Sequence, residues 1–212
     1  MKRKEILMPK ETFFRLPQEK QERILEAALD EFSTVTFTEA SINRIIQKAG
    51  IPRGSFYQYF DNKEDLYQFI IGRMSEEKRA LYQETQERMK EGFFEAVEAC
   101  IPGIFRWAAE HPKYYRLGYL VTRDHSEFIQ NLLVGMESSR DWMYQLLVQE
   151  QKEGKIRDDR NLDVLIDMYL AMGNRLLELY YERSQEEASA YMKEMLRILK
   201  YGIYTGSGEE AG

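Results

Sequence analysis

The chain has 212 residues, enough for one large domain or a small domain joined to a larger one, and its 43% hydrophobic and 31% charged residues are those of a soluble globular protein. It holds no run of about 18 apolar residues, which excludes a membrane-spanning helix, and its N-terminus, MKRKEILMPKETFFRLP, lacks the apolar stretch and small-residue cleavage site of a secretion signal. The single cysteine, Cys100, excludes an internal disulfide and a cysteine-based zinc site and suits a reducing cytoplasm.

The formal charge of −6 is unevenly spread. Residues 1–60 carry 10 Lys and Arg against 8 Asp and Glu, whereas the remainder carries 20 against 28. An anionic partner is therefore expected at the N-terminal part. Five prolines and the lack of Val/Ile/Thr alternation predict an all-α fold. The first helix is expected to start at Pro17, with Leu25, Ala28, Leu29 and Phe32 as its apolar stripe. After the poor helix formers STVTFT, a second helix carries Ile42, Ile45, Ile46 and Ala49 and stops at Gly50, with Ser41 or Thr38 as its N-cap. A short third helix follows Pro52, and Phe56 and Phe60 face its inner side. A long helix is expected from Lys63 towards Lys90, then helices at about 93–110, 112–122, 125–152, 161–183 and 186–203. Pro102-Gly103 either kinks one helix or separates two. The tail TGSGEEAG is expected to be disordered.

Two helices joined by a glycine turn form a helix-turn-helix. On the second of them the inward phenylalanines leave Arg53, Ser55, Tyr57, Gln58 and Tyr59 on or near the exposed side. Those side chains suit double-stranded DNA: arginine forks onto guanine, glutamine pairs with adenine, aromatic rings touch thymine methyls and hydroxyls reach phosphates. Lys63, at the start of the next helix, can join that helix's free N–H groups around a phosphate.

The segment from about Gln18 to Ile71 resembles the DNA-binding domain of TetR-family transcriptional repressors. The matching residues are Ile24, Leu25, Ala27, Ala28, Phe32, Ser41, Ile42, Ile45, Ala49, Gly50, the run GSFYQYF from Gly54 to Phe60, and Lys63, Glu64, Asp65 and Leu66. Ala40 and Ile46 depart from the usual threonine and alanine, and the glycine often found before the second helix is missing. The resemblance implies a phosphate or thymine contact for Tyr57 and phosphate binding by Lys63. It implies major-groove positions for Arg53, Ser55, Gln58 and Tyr59, and contacts to flanking backbone or a base edge for Ser41 and Asn43. The expected division is an N-terminal arm (1–16), the helix-turn-helix domain (17–62), a helical effector-binding and dimerisation domain (63–204) and a tail (205–212).

The resemblance implies a homodimer, and LDVLIDMYLAMGNRLLELYY supports one, because a helix apolar nearly all round must bury two faces. The expected dimer residues are Met168, Ala171, Met172, Arg175 and Leu179, with Met192, Met195 and Leu199 from the following helix. The same helix buried wholly within one monomer is the alternative. Trp107, Tyr114, Tyr119, Phe128, Trp142 and Tyr169 are expected to line an effector pocket or, alternatively, to fill a core. The effector is expected to be apolar or amphipathic, with strong anions disfavoured by the acidic C-terminal part unless Arg106, Arg116 or Arg175 is buried in the pocket.

His111 and His125 are the only histidines and have no nucleophile or metal-ligand spacing around them, so no catalytic residue, metal or cofactor is expected. The function expected is a cytoplasmic repressor released from a palindromic operator by a small molecule. The alternatives are the same DNA-binding role with a protein partner or no effector, and a helical carrier or enzyme that uses the helix-turn-helix as scaffold.

Overall fold

The computed structural model describes residues 9–78, 81, 92–134 and 138–202. These form eleven helices and no strand: α1 (Glu11–Phe14), α2 (Gln18–Phe32), α3 (Ile42–Ala49), α4 (Arg53–Tyr59), α5 (Lys63–Glu77), α6 (Phe93–Glu110), α7 (Pro112–Val121), α8 (Glu127–Val134), α9 (Ser138–Lys152), α10 (Leu162–Glu182) and α11 (Gln185–Tyr201). The expected continuation of α5 towards Lys90 and the tail lie outside the described residues. No helix among the described residues is long and apolar enough to cross a membrane. The chain divides into two compact units, residues 1–80 with 107–138 and residues 81–106 with 139–212. In this division α7 and α8 fall with the N-terminal helices.

In the first unit, Ile24, Leu25, Ala28 and Phe32 of α2 are buried with Ile45 and Ala49 of α3 and Phe56 of α4. Pro17 is the N-cap of α2 rather than its first helical residue, a difference within the ordinary uncertainty of helix ends. Ser41 is the N-cap of α3 by backbone geometry, and its N–H donates to Glu31 Oε1 at 2.8 Å. Gly50 ends α3 with φ +63°, the left-handed conformation that glycine adopts at low cost. Ile51, buried, closes the gap behind the turn. Asn62 caps α5 by accepting from Asp65 N.

The segments α7 and α8 are tied to this framework at three places. Lys113 pairs with Asp30 at 2.5 Å and Glu26 at 3.4 Å on α2. Asp124, buried, accepts from the backbone N (2.8 Å) and Oγ1 (3.1 Å) of Thr38 and from Ser126 N (2.9 Å). Phe128 lies 4.4 Å from the ring of Phe37 and 5.9 Å from that of Tyr67.

In the second unit, Phe93, Ile101 and Phe105 of α6, Leu147 of α9, Leu162, Ile166, Leu176 and Leu179 of α10, and Ala188, Met192 and Leu196 of α11 form one buried core. Pro102 sits inside α6 without ending it, so Pro102-Gly103 is an interruption within one helix and not a turn between two. A Cβ on Gly103 would stand 2.7 Å from Leu81 Cδ1, the end of a flexible side chain that would have to shift to admit it. Asn161 caps α10, and Ser184 with Glu187 forms a capping box on α11.

Candidate nucleic-acid interface

The turn after Gly50 sets α4 down with Phe56 inward, which leaves Arg53, Tyr57 and Gln58 exposed and Ser55 half-exposed on one face. Tyr57, at 42% exposure, stands edge-on to Phe56. Arg53 Nη1 donates to Asn43 Oδ1 at 2.8 Å, which joins the exposed starts of α3 and α4 through a guanidinium fork with donors to spare. Ser41, half-buried, lies at the same end of α3. Six of the eight residues expected at DNA, Ser41, Asn43, Arg53, Ser55, Tyr57 and Gln58, thus lie on the two helices with some exposure.

The other two differ from expectation. Tyr59 is 5% exposed: its ring packs against Phe13 and under Lys20, so it belongs to the core beneath α4 and cannot line a groove. The reason is period. Tyr59 follows Phe56 by three positions, so it shares the inner face with Phe56 and Phe60. Lys63 does not stand free. Its Nζ donates to the carbonyls of Phe37 (2.7 Å) and Ala40 (2.9 Å) and lies 4.3 Å from the Phe37 ring centroid, which fixes the ammonium in place and leaves one of its three N–H groups.

Other nearby cations are matched locally. Arg44 pairs with Glu31 at 2.5 Å, Lys48 with Asp30 at 2.6 Å and Lys10 with Asp61 at 2.5 Å. Arg53, exposed and bonded to a neutral amide, keeps its charge unmatched on this face.

Residues 10–13, part of the expected N-terminal arm, pack against α4. Phe13 is fully buried, with ring contacts to Tyr59, Phe60 and Phe69. Lys10 N donates to Tyr59 O at 2.8 Å, Lys10 Nζ to Tyr57 O at 2.9 Å, and Thr12 Oγ1 to Gln58 O. The last three carbonyls of α4, which a helix leaves without partners, are all satisfied by this segment. A helix of seven residues is marginal alone, so the segment holds α4 in place. Its sequence signal was the Phe13-Phe14 pair, too apolar for a flexible arm.

The expected effector residues fall into both units. Trp107, Tyr114, Tyr119 and Phe128 lie in the first, Trp142 and Tyr169 in the second. Trp107 is buried, Phe128 packs on Phe37, and Tyr119 lies beneath the guanidinium groups of Arg116 (4.8 Å) and Arg123 (4.7 Å). Tyr169 meets Phe93 edge-on, and the side chain of Trp142 lies outside the description.

The second unit holds a largely apolar groove of about 1210 Å³ lined by α10, α11, the start of α6 and residues 155–161, and none of these six lines it. Among its lining residues are five of the eight expected at a dimer contact: Met168, Ala171, Met172, Met195 and Leu199. Leu179 and Met192 are instead buried in the unit's core, and Met172 is almost so. Arg175 is held by Glu178 (2.8 Å) and Glu182 (2.7 Å) on its own helix. The sequence missed Val164 and Ile198, which line the groove and are 53% and 44% exposed.

Residues 24–69 match the family model for bacterial regulatory proteins of the tetR family. Over 188 residues the chain is 22% identical to YdgC, an uncharacterised HTH-type transcriptional regulator of Bacillus subtilis (strain 168), covering 87% of this chain and 93% of that one. A crystal structure of a TetR family transcriptional regulator from Chloroflexus aurantiacus J-10-FL superposes with a TM-score of 0.71 at 29% identity, covering 92% of this chain and 98% of that one. The fold is also shared, at 18% identity and a TM-score of 0.65, with the transcriptional regulator FadR of Bacillus subtilis in complex with stearoyl-CoA, over 86% of this chain and 99% of that one. Residues 24–69 thus carry a helix-turn-helix of the tetR family, and the fold along most of the chain is similar to that of a TetR family transcriptional regulator of known structure, while the C-terminal helices assign it to no subfamily.

Proposed function

We propose that the protein is a homodimeric repressor that binds a palindromic operator and is released from it by a hydrophobic or amphipathic small molecule. The observation that carries the DNA-binding part is the exposed face of α4, where Arg53, Tyr57 and Gln58 stand beside Asn43 with donors and acceptors unspent. Arg53 and Gln58 read base edges, Tyr57 and Ser55 contact phosphate or a thymine methyl, and Ser41 and Asn43 meet the flanking backbone. Lys63 offers its remaining N–H to a phosphate from a position that two carbonyls have already fixed.

The dimer is supported by the exposed apolar side chains of α10 and α11 that line the groove, Val164, Met168 and Ile198. A patch of this kind marks a protein contact. A two-fold pair of α10–α11 hairpins makes a four-helix interface and places two copies of α4 on one duplex, with half-sites about one helical turn apart or slightly more.

The release mechanism is a population shift. The loop 37–40 before α3 is held from two sides: Lys63 of α5 binds its carbonyls, while Asp124 and Phe128 hold Thr38 and Phe37. A ligand that favours another placement of α7 and α8 therefore biases α3 and α5 together. FadR of Bacillus subtilis, in complex with stearoyl-CoA, lends support to an amphipathic effector. Binding selection from random duplexes followed by footprinting tests the reading. A palindrome protected by a dimer is expected, and protection of single half-sites by monomers would refute it.

A further inference from the structure

Trp107 is buried in the first unit, yet its indole Nε1–H has no acceptor. A buried N–H left unpaired carries a desolvation cost, and native proteins rarely tolerate one without a reason. Lys78, at the C-cap of α5, holds its Nζ 4.5 Å from the centroid of the same ring. Burial alone pushes the lysine down to about 8, with no carboxylate opposing the shift. His111 stacks on Trp107 at 5.2 Å, and Tyr114 follows at 6.3 Å from His111. Arg73 bonds the Tyr114 hydroxyl and Glu77 adds a negative charge near it, so these two groups answer Tyr114 rather than the indole.

The ring face offsets part of the ammonium's lost hydration. It accepts none of the ammonium's three N–H groups in the way an oxygen does. One aromatic ring thus brings together four donors and no oxygen acceptor among the described residues. A water molecule would satisfy one or two donors but would leave the charge unmatched. An oxyanion satisfies donors and charge together.

We infer that Lys78 and Trp107 form an oxyanion subsite that takes the carboxylate or phosphate head of an amphipathic ligand, whose apolar part lies along Trp107, His111 and Tyr114. The inference rests on the effector reading above and narrows it, reversing the sequence-based expectation that strong anions are disfavoured. The reversing cation is Lys78, none of the three arginines considered from sequence.

The test uses the full-length protein at pH 7 with decanoate, decyl phosphate and methyl decanoate, binding measured by calorimetry and operator release measured separately by fluorescence anisotropy. At least one acid is expected to bind 10-fold or more tighter than the ester, and which acid wins identifies the head group. Lys78→Met should reduce that preference to less than about 3-fold while ester binding persists, and Trp107→Phe should reduce it partly. Because Lys78→Met also removes a desolvated charge, it should raise the melting temperature of the ligand-free protein by about 2–4 °C. A lysine with a purely structural role would lower it. Equal affinity for acid and ester, no binding of any probe, or an acid preference that survives Lys78→Met would overturn the subsite. If the ester releases the operator without any acid preference, the effector reading stands and the subsite falls. If acid binding depends on Lys78 but releases no operator, the subsite stands and the effector reading falls.

Discussion

The two units expose different chemistry. On α3 and α4 of the first unit the exposed side chains include Asn43, Arg44, Gln47, Lys48, Arg53, Tyr57 and Gln58, all able to give or accept hydrogen bonds. On α10 and α11 of the second they include Val164, Met168, Leu170 and Ile198, which can do neither. A polar face stays soluble alone and gains from a partner with its own donors and acceptors, such as groove edges and phosphates. An apolar face gains only by excluding water, so it needs a partner that fits closely and stays. The contrast suits the proposed reading, with a reversible contact on the first unit and a lasting one on the second.

The comparison breaks most visibly if the apolar face is charged. Met168→Glu or Ala171→Glu would bury an unpaired carboxylate in a dimer contact, at a cost of about 3–5 kcal/mol. Sedimentation at micromolar concentration should then show folded monomers that bind operator poorly. Met172→Glu makes the sharper control. Met172 is 6% exposed within the core, so this change should unfold the second unit rather than merely separate the subunits. Wild-type protein that sediments as a monomer would remove the contrast altogether.

Smaller effects are expected on the polar face. Gln58→Ala and Arg53→Ala should each cost about 1–3 kcal/mol on the preferred operator and relax discrimination at one base pair. Arg53→Ala should also free Asn43, which accepts from that guanidinium, so Arg53→Ala and Asn43→Ala should be non-additive. Titration against single-base operator variants separates the outcomes. Uniform weakening across all variants would show that neither side chain reads sequence.

How much of this was legible in the sequence differs between the units for a physical reason. A helix-turn-helix is a local object. Gly50 at φ +63°, the buried stripe of α2 and the inward Phe56 and Phe60 are set by neighbours within about fifty residues, and the spacing displayed them. What failed there was non-local. The carbonyl caps from Lys10 and Thr12 on α4 span 46 residues or more, and no pattern in either segment announces the other. Tyr59 was misplaced because its hydroxyl suggested a surface while its spacing from Phe56 required the interior. In the second unit the double stripe on α10 predicted two buried faces but could not say which residue belonged to which. Leu179 and Met192 went to the core, and Val164 and Ile198 to the open side. The placement of α7 and α8 with the N-terminal helices rests on Asp124, Phe128 and Lys113, with Asp124 reaching Thr38 across 86 residues and Lys113 reaching Glu26 across 87.

Asp124 allows the link between those segments to be weakened without touching either face. Burial raises its pKa, but hydrogen bonds from Ser126 and Thr38 outweigh that and hold the carboxyl below its ordinary value. A depressed carboxylate contributes stability above the unfolded-state value of about 3.9 and loses it as pH falls through the lower folded value. Wild-type stability should therefore decline below about pH 4. Asp124→Asn should flatten that part of the profile and cost about 1–3 kcal/mol at neutral pH. Denaturant melts at pH 3, 4 and 7 measure both. If the profile of Asp124→Asn parallels wild type, the carboxylate is not what secures Thr38.

The smallest expected effect concerns Lys63, where the two kinds of contact meet in one side chain. Its ammonium is fixed by the Phe37 and Ala40 carbonyls, yet hydrogen bonding to neutral oxygens does not cancel its charge, and one N–H remains. If that N–H meets a phosphate, Lys63→Ala should weaken binding to specific and non-specific duplexes by the same factor and reduce the slope of log K against log salt by about 0.9. Base preference should not change, because a phosphate carries no sequence information. Loss of two charge-assisted bonds should at the same time lower fold stability by about 1.5–3 kcal/mol. The pairing of those two results is diagnostic. A stability loss with an unchanged salt slope would make Lys63 solely the fastener of the loop before α3. A changed base preference would mean that the loop's position, and through it the placement of α3, had shifted on the DNA.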